Sequence, residues 1–345
     1  MIALTLTATG GLDQLKLQEV PAPEIGAPDQ VRVRLHAAAL NRLDLWVADG
    51  LPGITYRFPH VMGADGAGVV ESLGGAVRGF AAGDRVLLNP GVSCGACDWC
   101  QAGDQPLCPG FGVLGEHRAG TLAEYVVVPA RNLARVPDGM SWAEAAAFPL
   151  ATLTAWRMLI TRAQLRPGET VLIWGIGGGV ALAALQVARE AGARVIVTSS
   201  SDAKLAAARA LGADHGLNHA QVDVPREVKA LTGRRGADVV VDSVGPETWE
   251  RSLRALARKG RLVTCGGTTG PMVTTDVRKL FWYQWTIMGS TMGNDAEFRA
   301  VVELAGRGRL RPPIDSVVPL ARAREAFTRL AAGAQTGKIV IEVSP

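Results

Sequence analysis

Residues 171–199 read VLIWGIGGGVALAALQVAREAGARVIVTS, and few folds accommodate that order of residue types. Residues 171–174 are a short apolar run of strand formers. Gly175, Gly177, Gly178 and Gly179 then make a tight loop. Residues 180–191 are rich in Ala and Leu and free of proline, as a helix requires, and Gly192 stops them. Residues 194–199 are a second, β-branched run. Strand, glycine loop, helix and strand in this length predict a βαβ unit. The first N–H groups of a helix lack intrahelical partners, and the dipole there favours negative charge. Backbone without Cβ atoms lets a pyrophosphate approach them, so the loop predicts a dinucleotide site. The match to G-x-G-x-x-G is loose: Gly175 and Gly177 fit, and Val180 stands third. A ligand-free glycine turn is one other reading. A membrane span is another, since residues 170–188 carry no charge, but four glycines within five residues make a poor membrane helix.

The rest of the chain narrows the class. Its 345 residues predict one large or two medium domains, and 48% apolar with 20% charged residues predicts a sizeable core. Net charge is +4, and the basic clusters (Arg234 with Arg235, residues 258–261, residues 307–311) are short, separate and without interleaved aromatics. They read as solvated surface, with no nucleic-acid site. No basic residue precedes Lys16 and no cleavage pattern follows, so the start is not a signal peptide. A cytoplasmic, reducing location is expected, with no membrane partner. Four of the five cysteines lie within fifteen residues, spaced C-x2-C-x2-C-x7-C at Cys94, Cys97, Cys100 and Cys108. That is the spacing of a metal site rather than a disulfide framework. Four thiolates with no open position predict one structural zinc per chain, with an iron–sulfur cluster as the competing reading. Cys265 stands alone and reads as core.

Before residue 153 the pattern is mainly β. Leu15, Leu17, Val31, Val33 and Leu35 alternate with polar residues. Residues 60–71 and 120–128 add further strands, and Ser141 with Glu144 predicts a capping box opening a helix. A helix is expected over 151–160. After residue 199, helices are expected over 203–211, 225–231 and 248–259, with strands over 237–244, 261–266 and 285–290. Alternating strands and helices predict a parallel, doubly wound sheet. Residues 294–307 read as helix. A last strand over 338–343 has the period of the early β region, so the chain is expected to return there.

The strand GADGAGVV, the four-cysteine lobe, GTLAEYVVVP, the loop GIGGGVALAALQ, VVDSVG and a terminal TGKIVIEV occur in one order. Together they resemble the medium-chain dehydrogenase/reductase superfamily, between zinc alcohol dehydrogenases and quinone oxidoreductases. The resemblance covers essentially the whole chain. It implies an α/β protein with a GroES-like β-rich catalytic domain (residues 1–152 and 291–345, zinc lobe 91–110). A Rossmann domain (153–290) interrupts it, and the active site lies in the cleft between them. It also implies a homodimer or homotetramer through the Rossmann domain, with residues 285–290 as the interface edge.

The departures from the family pattern carry the functional expectation. The family's catalytic zinc is held by a Cys, the His of Gly-His-Glu and a further Cys. The matching positions here are Asn41, Ala64 in Gly63-Ala64-Asp65, and about Leu150, and the proton-relaying hydroxyl falls at Leu43. An alcohol losing hydride needs its alkoxide stabilised, and nothing in this set holds the metal that would do so. Quinone oxidoreductases also lack that metal and carry Asn at the position of Asn41. An alternative keeps alcohols and aldehydes as substrates, through a non-standard metal site built from Asp44, His60, Asp65, Glu116 and His117. The bland reading is that the two aspartates bond within the domain and both histidines are partly exposed.

NAD enzymes of this fold place an acid at the end of the second strand to hold the ribose 2′-OH. Here Ser199 and Ser200 stand there with Lys204 following, a set suited to a 2′-phosphate. NADPH is expected; NADH stays open if Asp202 swings in. The expected reaction is hydride transfer to a small electron-poor acceptor, a quinone or an α,β-unsaturated carbonyl. Asn41 is the expected donor near the nicotinamide, Tyr56 a candidate acid by similarity to related reductases, and Glu116 a weaker proton shuttle. Thr154 and the Val244-Gly245 and Gly266-Gly267 turns are expected at the nicotinamide, with Arg42 reaching the pyrophosphate as its family counterpart does. A non-enzymatic NADPH sensor is the remaining possibility.

Overall fold

The computed structural model describes residues 1–344. The chain divides into two units, Met1–Ala151 with Gly293–Pro345, and Thr152–Met292.

The first unit is built around the strand Gln30–Ala39. Its alternation buries Val31, Val33 and Leu35 completely. It pairs antiparallel with Asp65–Leu73, Tyr125–Pro129 and Lys338–Glu342. Arg85–Leu88 and Leu133–Arg135 extend the sheet beyond Asp65–Leu73, and Ile314–Pro319 lies beside Lys338–Glu342. The chain therefore does return to its early β region, with Val340 opposite Ala39. A smaller sheet joins Leu15–Glu19, Ile2–Leu6 and His60–Val61. Ser141 closes its capping box: its Oγ accepts the Glu144 N–H at 3.2 Å, and Glu144 Oε2 accepts the Ser141 N–H at 2.9 Å.

The second unit holds a parallel six-stranded sheet. Its order is His215–Asn218, Arg194–Ser199, Thr170–Ile173, Ala237–Val241, Leu256–Thr264, Thr286–Gly289. The order reverses direction at Thr170–Ile173, so the helix Gly179–Glu190 starts beside a topological switch point, where such sheets bind ligands. Two expectations are corrected. The helix expected over 248–259 is Pro246–Ala255, and residues 256–259 already belong to the strand Leu256–Thr264, with Lys259 at φ 58°. Leu256, Ala257, Arg258 and Lys259 are all good helix formers, and pairing of Leu256 with Ala237 overrides that propensity. The helix expected over 151–160 is α-helical over Pro149–Trp156 and continues as a π-turn through Arg157–Arg162. The helices Val277–Tyr283 and Ala323–Ala331 and the strand Ile314–Pro319 have no counterpart in the sequence reading. The uncharged stretch 170–188 is a strand, a loop and a helix, and among the described residues no helix is long and apolar enough to cross a membrane.

Candidate functional site

In the second unit the glycine loop joins the strand Thr170–Ile173 to the helix Gly179–Glu190. Gly178 is the N-cap and no side chain caps that end, so its first N–H groups are left for a ligand. Gly175 and Gly177 have φ of 67° and 126°, which only glycine adopts without strain. A Cβ on Gly177 would lie 2.8 Å from Cδ of Lys204, so the lysine stem covers the loop. Val180 is the second residue of the helix, half-buried. These features fit a pyrophosphate.

The strand Arg194–Ser199 ends beside that loop. Ser199 is buried, its Oγ accepting the Ser201 N–H at 3.1 Å, while Ser200 is exposed. Asp202 is the acid that could have served a ribose diol. Its Oδ1 accepts from Asn218 Nδ2 at 2.8 Å. Val244 and Gly245 hang from Asp242, whose Oδ1 accepts both their N–H groups at 2.9 and 3.1 Å. A Cβ on Gly245 would meet Gly267 Cα at 3.2 Å, so the Val244-Gly245 and Gly266-Gly267 turns lie backbone against backbone. Thr154 is buried, its hydroxyl 3.8 Å from the Met292 sulfur.

In the first unit Asn41 is the N-cap of the helix Arg42–Asp49. Its Nδ2 donates to Asp65 Oδ2 at 3.0 Å and to the Ala39 carbonyl at 3.4 Å, and its Oδ1 accepts from Lys338 Nζ at 2.5 Å. The Asn41 amide, expected to donate near the nicotinamide, thus donates within its own unit. The register that brings Lys338 to it accounts for this. Asp65 is fully buried; its carboxylate accepts from Asn41, Lys338 and the Leu150 N–H (2.8 Å), and its carbonyl accepts from Thr121 Oγ1 (2.7 Å). Asp44 Oδ2 accepts the Asn41 N–H at 2.7 Å. Burial pushes its carboxyl up to about 7, against the N–H bonds and the Lys338 charge that favour the anion. Arg42 is half-buried, and burial lowers its guanidinium.

A second polar group gathers around Tyr56. The phenol oxygen is buried without a hydrogen-bond partner. Burial and the charge of Glu116 raise its pKa, outweighing the backbone of Leu51 that faces the phenol oxygen, so it keeps its proton. Burial also raises Glu116, whose carboxylate lies 3.6 Å from His117 Nδ1. The Tyr56 ring sits edge-on to His60 at 5.1 Å. His60, expected to be partly exposed, is buried, with Nε2 2.9 Å from the Gly115 carbonyl oxygen; His117 is exposed.

Asn41 and Leu150 are bonded to Asp65, and Ala64 is its chain neighbour. Asp44, His60, Asp65, Glu116 and His117 do not bring three ligand atoms together. Among the described residues the one such group is Cys94, Cys97, Cys100 and Cys108, whose sulfurs lie within 4.8 Å of one another. Cys100 Sγ is 3.9 Å from Cys94 and 3.6 Å from Cys97. A tetrahedral zinc with Zn–S near 2.3 Å sets its sulfurs about 3.8 Å apart, so this donor set fits zinc. A multi-iron cluster spreads its thiolates over separate irons and fits less well.

Sequence reasoning missed Lys338 as a member of this buried network. The signal was a lysine heading the apolar run Ile339–Ile341, and it is 3% exposed.

One unit holds a parallel sheet with a bare glycine-loop helix end, and the other is β-rich and carries the thiolate lobe, the two kinds of unit found in two-domain dehydrogenases. Residues 27–138 match the alcohol dehydrogenase GroES-like domain, and residues 179–307 match the zinc-binding dehydrogenase family. A zinc-type alcohol dehydrogenase-like protein of Schizosaccharomyces pombe is 35% identical over 96% of each chain. A quinone oxidoreductase of Pseudomonas aeruginosa is 33% identical over 98% of each. The crystal structure of an NAD-dependent alcohol dehydrogenase superposes with a TM-score of 0.95 at 45% identity over 100% of both chains. The chain belongs to the medium-chain dehydrogenase/reductase superfamily and is an oxidoreductase.

Proposed function

We propose that this oxidoreductase uses NADPH to reduce a quinone or an α,β-unsaturated carbonyl, with its zinc confined to the four-cysteine lobe. The observation that carries the reading is the Asn41–Asp65–Lys338 network. Every position aligned with a catalytic-zinc ligand is bonded to, or adjoins, one buried carboxylate already paired with an ammonium. A site balanced in that way has no need of an ion and no free ligand to offer one.

NADPH supplies the hydride. Gly175, Gly177, Gly178, Gly179 and Val180 would seat its pyrophosphate, joined by Arg42, while Ser199, Ser200 and Lys204 would hold the 2′-phosphate. The bond from Asn218 supports NADPH over NADH, since it turns Asp202 Oδ1 toward the strand His215–Asn218. Thr154, Val244, Gly245, Gly266 and Gly267 would line the nicotinamide. Hydride arriving at the β-carbon of an enone leaves an enolate that must take up a proton. Tyr56 suits that role: no acceptor in the chain takes its O–H and its proton is held at neutral pH, and Glu116 can return a proton from solvent. Asn41 orients Asp65 instead of donating to the substrate. The strand Thr286–Gly289 is paired on one side, next to exposed Phe281 and Trp282, which supports a homodimer or homotetramer through this edge.

Elemental analysis of protein purified without added metal tests the reading. One zinc per chain, with NADPH-dependent turnover of quinones or enones, is the expected result. Two zincs per chain, with alcohol oxidation abolished by chelators, would overturn it in favour of an alcohol dehydrogenase with a rebuilt metal site.

A further inference from the structure

Three strand ends meet at one corner of the first unit's main sheet. Ala39 is opposite both Val340 and Asp65, so the register brings Lys338, Asn41 and Asp65 together. The Leu40 N–H donates to the Ile339 carbonyl at 2.9 Å, which fixes the alignment one residue further along. Lys338 Nζ donates to Asn41 Oδ1 at 2.5 Å and to Asp65 Oδ2 at 2.9 Å. Asp44 lies in the same pocket, 1% exposed, and feels the charges of both Lys338 and Asp65. An amide oxygen and a carboxylate oxygen closing on one positive charge in a dry pocket are the surroundings of a bound cation. Here that charge is covalently attached to the chain.

We propose that Lys338 is a tethered cation standing where the family holds its catalytic metal, fixing Asp65 and Asn41 in place and excluding divalent ions. The inference deepens the zinc-free reading above and rests on it. Exclusion has two causes. The ammonium occupies the two oxygen lone pairs that an ion would use, and its charge repels a dication at contact distance. Removing the ammonium leaves Asp65 buried without its counter-charge, a strongly unfavourable state that an incoming ion relieves. The cage then exposed has oxygen donors alone: Asn41 Oδ1, Asp65 Oδ2 and the nearby Asp44 carboxylate. Such donors suit Mn²⁺, whereas the thiolates of the cysteine lobe favour zinc.

The test compares the wild-type chain with Lys338→Met, which keeps most of the buried stem and removes the charge, and with Lys338→Met/Asp65→Asn. Zinc is counted by elemental analysis, and Mn²⁺ binding is followed by loss of the free-ion EPR signal and by the thermal midpoint. Expected are one zinc in every chain, no Mn²⁺ bound by wild type, and one Mn²⁺ bound by Lys338→Met with a raised midpoint. The double variant is expected to bind none. If Lys338→Met does not fold alone, refolding it with and without Mn²⁺ decides: recovery only with the ion supports the proposal, and recovery in neither overturns it. A folded Lys338→Met that binds no Mn²⁺ while wild type holds one zinc overturns the tethered-cation role and leaves the zinc-free reading intact. Two zincs in wild type overturn both.

Discussion

Replacing Asp44 with asparagine removes a buried charge while keeping the helix cap it serves. Asp44 is 1% exposed, and its Oδ2 accepts the Asn41 N–H at 2.7 Å, a bond that an asparagine Oδ1 can also accept. Burial lifts the carboxyl from 3.8 to about 7; Asp65 adds to the rise, while the N–H bonds and Lys338 oppose it. The folded pKa is thus above the unfolded one. Between those values the folded state binds more protons than the unfolded state, so stability falls as pH rises through the window and levels off above about 7. At roughly 1.4 kcal/mol per unit, a shift of about three units is worth roughly 4 kcal/mol across the window. The variant lacks this component. Any cost of its new amide N–H₂ is independent of pH. The difference in unfolding free energy, variant minus wild type, is therefore expected to grow in the variant's favour by about 4 kcal/mol from about pH 4 to about pH 8. Titrating groups that do not interact with Asp44 cancel in that difference. Denaturant unfolding at about pH 4.5, 6 and 8, with amide exchange across the helix Arg42–Asp49, measures it. A difference that stays constant with pH would refute the assignment of a neutral-range proton to Asp44.

Lys204→Ala is expected to raise KM for NADPH about tenfold more than KM for NADH, the size of one lost charge-assisted bond; steady-state kinetics with both cofactors reads it. Cys100→Ser is expected to release the lobe's zinc on elemental analysis and to speed amide exchange around residues 94–108, leaving the parallel sheet protected. Ser141→Ala breaks a capping box whose geometry is complete, and is expected to cost about 1 kcal/mol in denaturant unfolding.

The fold was legible because its signals are local. Residues 171–199 carry their own strand, loop and helix markers, and the structure has the strand Thr170–Ile173, the helix Gly179–Glu190 and the strand Arg194–Ser199. Ser141 and Glu144 need only each other to form their box. The four cysteines span fifteen residues, so their spacing alone implied convergence. The failures are non-local. Residues 256–259 look helical until Ala237 pairs with Leu256, and the helix Ala323–Ala331 is buried through Phe327 against a core assembled from distant strands. The same physics governs the candidate site. Which zinc ligands are missing could be read from Asn41, Ala64 and Leu150 one at a time. What replaces them depends on Lys338, 297 residues from Asn41 and brought to it only by the pairing of Lys338–Glu342 with Gln30–Ala39. Nothing near Lys338 in the sequence says which residues it pairs with. A buried ammonium is costly unless paired, so its partners had to be somewhere in the chain, and a lysine heading an apolar strand is the trace that this requirement leaves in the sequence.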